Sequence, residues 1–174
     1  MVKAAKLCKR SLHRSRYTTA QKPPPPMDTT KPLKLNLSEL MFAYLDDAPD
    51  NSYYLDIESG VVKLVNRNLL DLRDLTDEIE QDRHKFLYMP KTEKEQQTLD
   101  LKEFWASVKD DKLRNILSMA FESPHVLSSF RKILEGNQEE AKRFEEYRNA
   151  KTQAKIEAWL KSHFLNYEFV ETTK

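Results

Sequence analysis

The chain has 174 residues, with 29 Lys and Arg against 28 Asp and Glu, one cysteine and two glycines. A single cysteine excludes an intramolecular disulfide and a Cys-cluster metal site and suits a reducing, intracellular setting. So few glycines exclude a Gly-rich phosphate loop, a dinucleotide fingerprint and a nucleophile elbow.

The balanced charge hides a segregation. Nine of the cations and one acid, Asp28, fall in residues 1–34, so this stretch carries +8 and the remainder −7. An asymmetry of this kind points to a basic arm with an anionic partner. The opening is acid-poor and rich in Arg, Ser and Thr, a composition shared with organelle transit peptides, but it lacks the apolar run of a secretory signal. Pro23, Pro24, Pro25 and Pro26 are expected to form an extended, polyproline-like spacer. The arm has few large apolar residues (Leu7, Leu12, Tyr17), too few to offset the entropy of ordering it. The expected organisation is a disordered basic arm with its tetraproline linker over 1–32 and a single domain over 33–174. That domain divides into a sheet-rich part (33–90), a helical part (94–164) and a C-terminal strand (166–171). It is long enough to bury about two-thirds of its unfolded surface without staples.

Along the domain, Leu33, Leu35 and Leu37 alternate as in a short strand. Ser38 is then a candidate cap for a helix carrying Leu40, Met41, Tyr44 and Leu45. Two β-rich runs, 53–57 and 61–65, flank Glu58, Ser59 and Gly60, where glycine suits the positive φ of a tight hairpin. Residues 69–83 read as a helix with Leu72, Leu75 and Ile79 on one face. Residues 86–89, before Pro90, read as a strand. Asp100 and Glu103 have capping-box spacing ahead of Phe104, Trp105 and Val108. Leu113, Ile116, Leu117, Ala120 and Phe121 keep a helical period. Ser123 and Pro124 resemble an N-cap and a first-turn proline before the stripe of Val126, Leu127, Phe130, Ile133 and Leu134. Gly136 ends that helix, and Asn137 opens a long one to about His163. The order of strands first and helices after predicts an α+β fold, with a small antiparallel sheet and N-terminal hairpin packed against a C-terminal helical bundle.

Three sets of residues carry candidate chemistry. Asp56 and Glu58 lie two apart on one strand face, where they could share a divalent cation or simply serve the hairpin turn. The histidines His13, His84, His125 and His163 show no i, i+4 pair, which argues against zinc. Cys8 lies beside Lys9 and Arg10, which favour its thiolate, but no base is held next to it. For nucleic acid, Lys6, Lys9, Arg10, Arg14 and Arg16 supply sequence-independent phosphate contacts. In the domain, the helices around Glu122, Ser123 and Pro124 are compatible with a helix-turn-helix that presents His125, Ser128, Ser129, Arg131 and Lys132. Arg148, Lys151 and Lys155 share a stripe of the final helix, either as a phosphate track or as partners of its glutamates.

Several stretches in succession resemble one family. Tyr54-Leu55-Asp56-Ile57-Glu58-Ser59-Gly60-Val61-Val62 matches a YLDxETGEV-like hairpin, and Lys85-Phe86-Leu87-Tyr88-Met89-Pro90 loosely matches RYxPIP. Residues 101–110 with Leu113-Arg114-Asn115-Ile116-Leu117 follow MxxFIxxVxDxxLRxxL. Phe130-Arg131-Lys132-Ile133-Leu134 echoes FRRFKxxL, and Arg143-Phe144 with Ala158-Trp159-Leu160 echoes an aromatic-rich finish. From about Leu35 to Phe164 the chain resembles the bacterial uncharacterised protein family 0158 of the UPF series. The resemblance implies a small cytoplasmic bacterial protein of mixed α+β fold. The basic arm lies outside the pattern, and Glu122-Ser123-Pro124-His125 stands where the family is Gly-Arg-Gly-like and more basic.

The expected function is non-enzymatic binding of nucleic acid, with duplex DNA favoured and little sequence specificity, in a regulatory setting. No cofactor, metal or membrane is expected. The alternative is a protein-interaction module, a homodimer joined by Phe144, Tyr147, Trp159 and an exchanged tail strand. A metal-dependent hydrolase using Asp56 and Glu58 comes last.

Overall fold

The structure is a computed structural model that describes residues 31–66, 68–69 and 73–170. The arm cations Lys6, Lys9, Arg10, Arg14 and Arg16 and the tetraproline lie outside the described residues.

Strand β1 (Leu33–Asn36) runs directly into helix α1 (Leu37–Leu45). The cap is Asn36 rather than Ser38: its Oδ1 accepts from the amides of Ser38 and Glu39. Asparagine one position earlier satisfies the same orphan donors, so the helix starts sooner. Strands β2 (Asn51–Asp56) and β3 (Val62–Asn66) form the expected hairpin. Gly60 adopts φ +76°, and a Cβ there would lie 2.1 Å from the Lys34 carbonyl oxygen. Glycine is therefore required both for its dihedral and for the approach of the turn to β1. Helix α2 (Arg73–Gln81) ends two residues before the expected Arg83, Leu72 lies outside the described residues, and β4 (Phe86–Tyr88) joins β2, giving the order β3-β2-β4, antiparallel throughout.

The helical part holds α3 (Lys94–Ser107), α4 (Asp111–Ser118), a 3₁₀ turn (Met119–Glu122), α5 (Val126–Leu134) and α6 (Gln138–Ser162). Asp110 caps α4 and Asn137 caps α6, each accepting from amides two or three residues on. The capping-box reading of Asp100 and Glu103 fails because α3 begins at Lys94, so both lie mid-helix. Ser123 does not cap α5. The residue in that position is His125, which makes no side-chain cap bond, while Ser123 Oγ accepts from the His125 amide and pairs with Ser129 Oγ at 2.8 Å.

Strand β5 (Tyr167–Val170) pairs in parallel with β1, with Leu33 opposite Tyr167 and Asn36 opposite Val170. The architecture is α+β, with a three-stranded antiparallel sheet and a separate two-stranded parallel one. Two apolar cores result. The sheet-side core gathers Leu35, Leu40, Tyr53, Leu55, Met89, Ile156 and Leu160. The helical core gathers Leu101, Phe104, Leu117, Phe130, Leu134 and Phe144. Each fully buried Phe or Leu stabilises the fold by about 1.5–3 kcal/mol. Helix α6 runs through both, because its buried residues Phe144, Thr152, Ile156 and Leu160 keep one face for most of its length.

Candidate nucleic-acid interface

The stripe of Arg148, Lys151 and Lys155 exists on α6, but it faces acids. Lys155 Nζ pairs with Asp100 Oδ2, and Lys151 Nζ lies 2.5 Å from Glu103 Oε2, both across the α3–α6 contact. Glu103 also accepts from the Tyr147 hydroxyl at 3.0 Å. The hydrogen bond from Lys151, then that from Tyr147, holds the Glu103 carboxyl below its ordinary range, and Glu103 in turn raises Lys151. Burial, then the bond to Glu103, raises the Tyr147 phenol. Asp100 and Glu103 thus have the i, i+3 spacing of a capping box but clasp the long helix instead.

Arg148 and Arg131 converge on one carboxylate. Arg131 Nε and Nη2 donate to the two oxygens of Glu145 at 3.0 and 3.2 Å, and Arg148 Nη1 donates to Oε2 at 3.1 Å. Lys132 is exposed, with no ion pair to another described residue. Of the five domain cations expected to meet phosphates, four are therefore held by carboxylates of the chain itself. Arg148 and Glu145 are three residues apart on one helix, but the other three pairings join residues 14 to 55 positions apart and left no local signature in the sequence.

The helix-turn-helix reading loses its geometry. A 3₁₀ turn stands between α4 and α5, and the expected exposed face of α5 is partly spent: Ser129 bonds Ser123, and Arg131 bonds Glu145. The aromatic interaction face on α6 is also internal. Phe144 is 1% exposed and packs on Phe104 and Phe130, with Tyr147 and Trp159 half-buried beside the cores.

Asp56 and Glu58 serve the hairpin. Asp56 Oδ1 accepts from the amides of Glu58 and Ser59, and Lys85 Nζ lies 3.7 Å from Asp56 and 3.3 Å from Glu58, where a bound cation would otherwise sit. Burial alone would raise the Asp56 carboxyl. The two turn amides and Lys85 outweigh it and hold that carboxyl below its ordinary value. Among the described residues no group of three or more His, Cys, Asp or Glu is placed to hold a metal.

A constellation not anticipated from the sequence lies between α1 and β2. Asp46 accepts from the Ala48 amide, from Asn51 and, at 2.9 Å, from the Tyr53 hydroxyl, with Lys91 at 3.9 Å. The Asn51 hydrogen bond leads in holding its carboxyl low. Burial, then the bond to Asp46, pushes the Tyr53 phenol up to about 12. The dense carboxylates at 46–50 were the available signal, and turn chemistry explains them.

Fold and site together define a small α+β domain whose polar groups mostly bind one another. The chain belongs to the Uncharacterised protein family (UPF0158), whose model matches residues 30–173. No curated protein and no solved structure matches the chain. Among the described residues no helix is long and apolar enough to cross a membrane.

Proposed function

We propose that this chain is a non-enzymatic, cytoplasmic bacterial protein that binds nucleic acid, duplex DNA before other forms and with little sequence preference. The observation that supports it is the segregation of +8 in residues 1–34 from −7 in the rest. Intramolecular pairing of Arg131, Arg148, Lys151 and Lys155 moves the weight of the reading onto the arm. Freeing those four would expose Asp100, Glu103 and Glu145 to the same phosphates, whereas Lys6, Lys9, Arg10, Arg14 and Arg16 carry no carboxylate among them.

The test is duplex-DNA affinity of the full chain across a salt series, beside K6Q/K9Q/R10Q/R14Q/R16Q and K151Q/K155Q. Each neutralised phosphate adds roughly 0.9 to the slope of log affinity against log salt. The five-fold arm variant is expected to lose most of both affinity and slope, and the α6 variant little of either. Absence of any retardation of duplex DNA at low salt refutes the reading.

One observation favours the second reading, self-assembly. Strand β5 pairs with β1 on one side and with no other strand among the described residues. An open edge accepts an added strand. A second copy that adds a strand at this edge would extend the parallel pair. Light scattering that shows a monomer at every concentration eliminates it.

A further inference from the structure

A cleft of about 560 Å³ lies between the end of α1, the start of α3 and the start of α5. Its volume is within the range of small-molecule sites. Arg131 and Arg148 both line it, and both bind Glu145. Two guanidiniums on one carboxylate leave a net charge of +1. Arg148 is the more enclosed, with its side chain 16% exposed. A guanidinium carries five N–H donors in a planar fork. Beyond the face of Phe144, 6.0 Å away, the described residues give Arg148 one hydrogen-bond partner, Glu145, whose Oε2 also accepts from Arg131. Burial first, then the neighbouring Arg131, disfavours its charged form despite Glu145. Two cations that share one carboxylate, one of them largely enclosed, are lowered in free energy by an added anion.

The other charged residues of the lining decide what kind of anion. Lys94 and His125 add donors to the cleft, but Asp46 and Asp47 also line it. Asp46 is taken up by Asn51, Tyr53 and Lys91, while Asp47 is exposed and bound to no other described residue. A polyanion laid across the cleft would meet these carboxylates, whereas one compact anionic group on the arginines avoids them. The lining also carries apolar surface: Phe42 is 68% exposed, and Leu45, Val126 and Leu127 line the cleft with it. Exposed aromatic surface lining a charged cleft suits the apolar body of a ligand.

We infer that this cleft binds a small organic anion, its single carboxylate or phosphate on Arg131 and Arg148 and its apolar body on Phe42. The site is independent of the basic arm and of nucleic-acid binding.

The test titrates the full chain with inorganic phosphate and with phenyl phosphate at constant ionic strength, reading the Nε–Hε NMR signals of Arg131 and Arg148. Both signals are expected to shift, with phenyl phosphate binding several-fold tighter. R131Q leaves a neutral Arg148–Glu145 pair and should weaken phosphate binding on the order of tenfold. E145Q leaves two uncompensated guanidiniums and should strengthen it by a similar factor. F42A should erase the advantage of phenyl phosphate alone. Arg131 is exposed, so R131Q reports even where another variant fails to fold. Phosphate held by the arm would be indifferent to all three substitutions. Unshifted arginine signals, or equal affinities in wild type and R131Q, overturn the inference.

Discussion

The helical core joins near neighbours, and the sheet-side core joins ends. Phe104, Phe130 and Phe144 stack edge-on or tilted within a run of consecutive helices, at centroid distances of 4.9 to 6.1 Å. Leu35 and Leu40, by contrast, share their core with Ile156 and Leu160, from the far end of the domain. The β1–β5 pair closes the same long loop, with Leu33 against Tyr167. A local core follows from helical period, whereas a core closed across the chain depends on loop-closure entropy being offset by contacts that form late. Helix α6 belongs to both, and this suggests that the two cores unfold together.

The largest effects test that coupling. F144A in the helical core should cost about 3–5 kcal/mol and L160A in the sheet-side core about 2–5 kcal/mol. Each is expected to shift one urea transition, seen alike by far-UV circular dichroism and by tryptophan fluorescence, since Trp105 packs beside one core and Trp159 beside the other. Two separated transitions in either variant would show that α6 does not couple them.

G60A tests the closure of the sheet side. It places a Cβ against the Lys34 carbonyl at a φ that L residues rarely adopt, so a loss of at least about 1–3 kcal/mol is expected in thermal or urea unfolding. Unchanged stability would mean that the hairpin turn and β1 do not press together in solution.

Asp56 gives the comparison a pH axis. Its folded carboxyl lies below the ordinary 3.8, so in acid the unfolded chain binds the extra proton. The stabilisation is complete above that ordinary value and is lost as pH falls through the folded one. D56N should cost about 1–2 kcal/mol at pH 7 and flatten the fall in urea midpoint below pH 4. A variant as acid-sensitive as wild type would place the acid response elsewhere.

The smallest effect concerns the α3–α6 clasp. K155Q leaves the half-buried Asp100 without its ammonium and should cost about 1 kcal/mol, with D100N/K155Q recovering part of it. A double variant as unstable as the sum of the two singles would show that the pair does not interact.

The helices, the Gly60 turn, the Asn137 cap and the strand at 167–170 were legible because each has a local cause: a 3.6-residue period, a positive φ, a short polar cap, an alternation. The misread starts of α1, α3 and α5 share one reason. More than one polar residue stands at each junction, and the packing of the helix behind decides where it starts: α1 is capped by Asn36 rather than Ser38, and α3 starts after Glu93, which makes no side-chain cap bond, rather than at Asp100. The family was legible as well, since each of its motifs is a short run of neighbouring residues, within one element or across one turn between two. Which cations remain available was not. Lys151 and Lys155 repeat on a stripe that suits phosphate or glutamate equally, and only the docking of α3 on α6 put Asp100 and Glu103 opposite them. The docking of α5 on α6 set Arg131 on Glu145, which Arg148 of the same helix already binds. By itself the sequence determined the elements, the charge segregation and the family. The tertiary structure decided the charge pairing, because Coulomb attraction depends on distances across the fold that local periodicity does not encode.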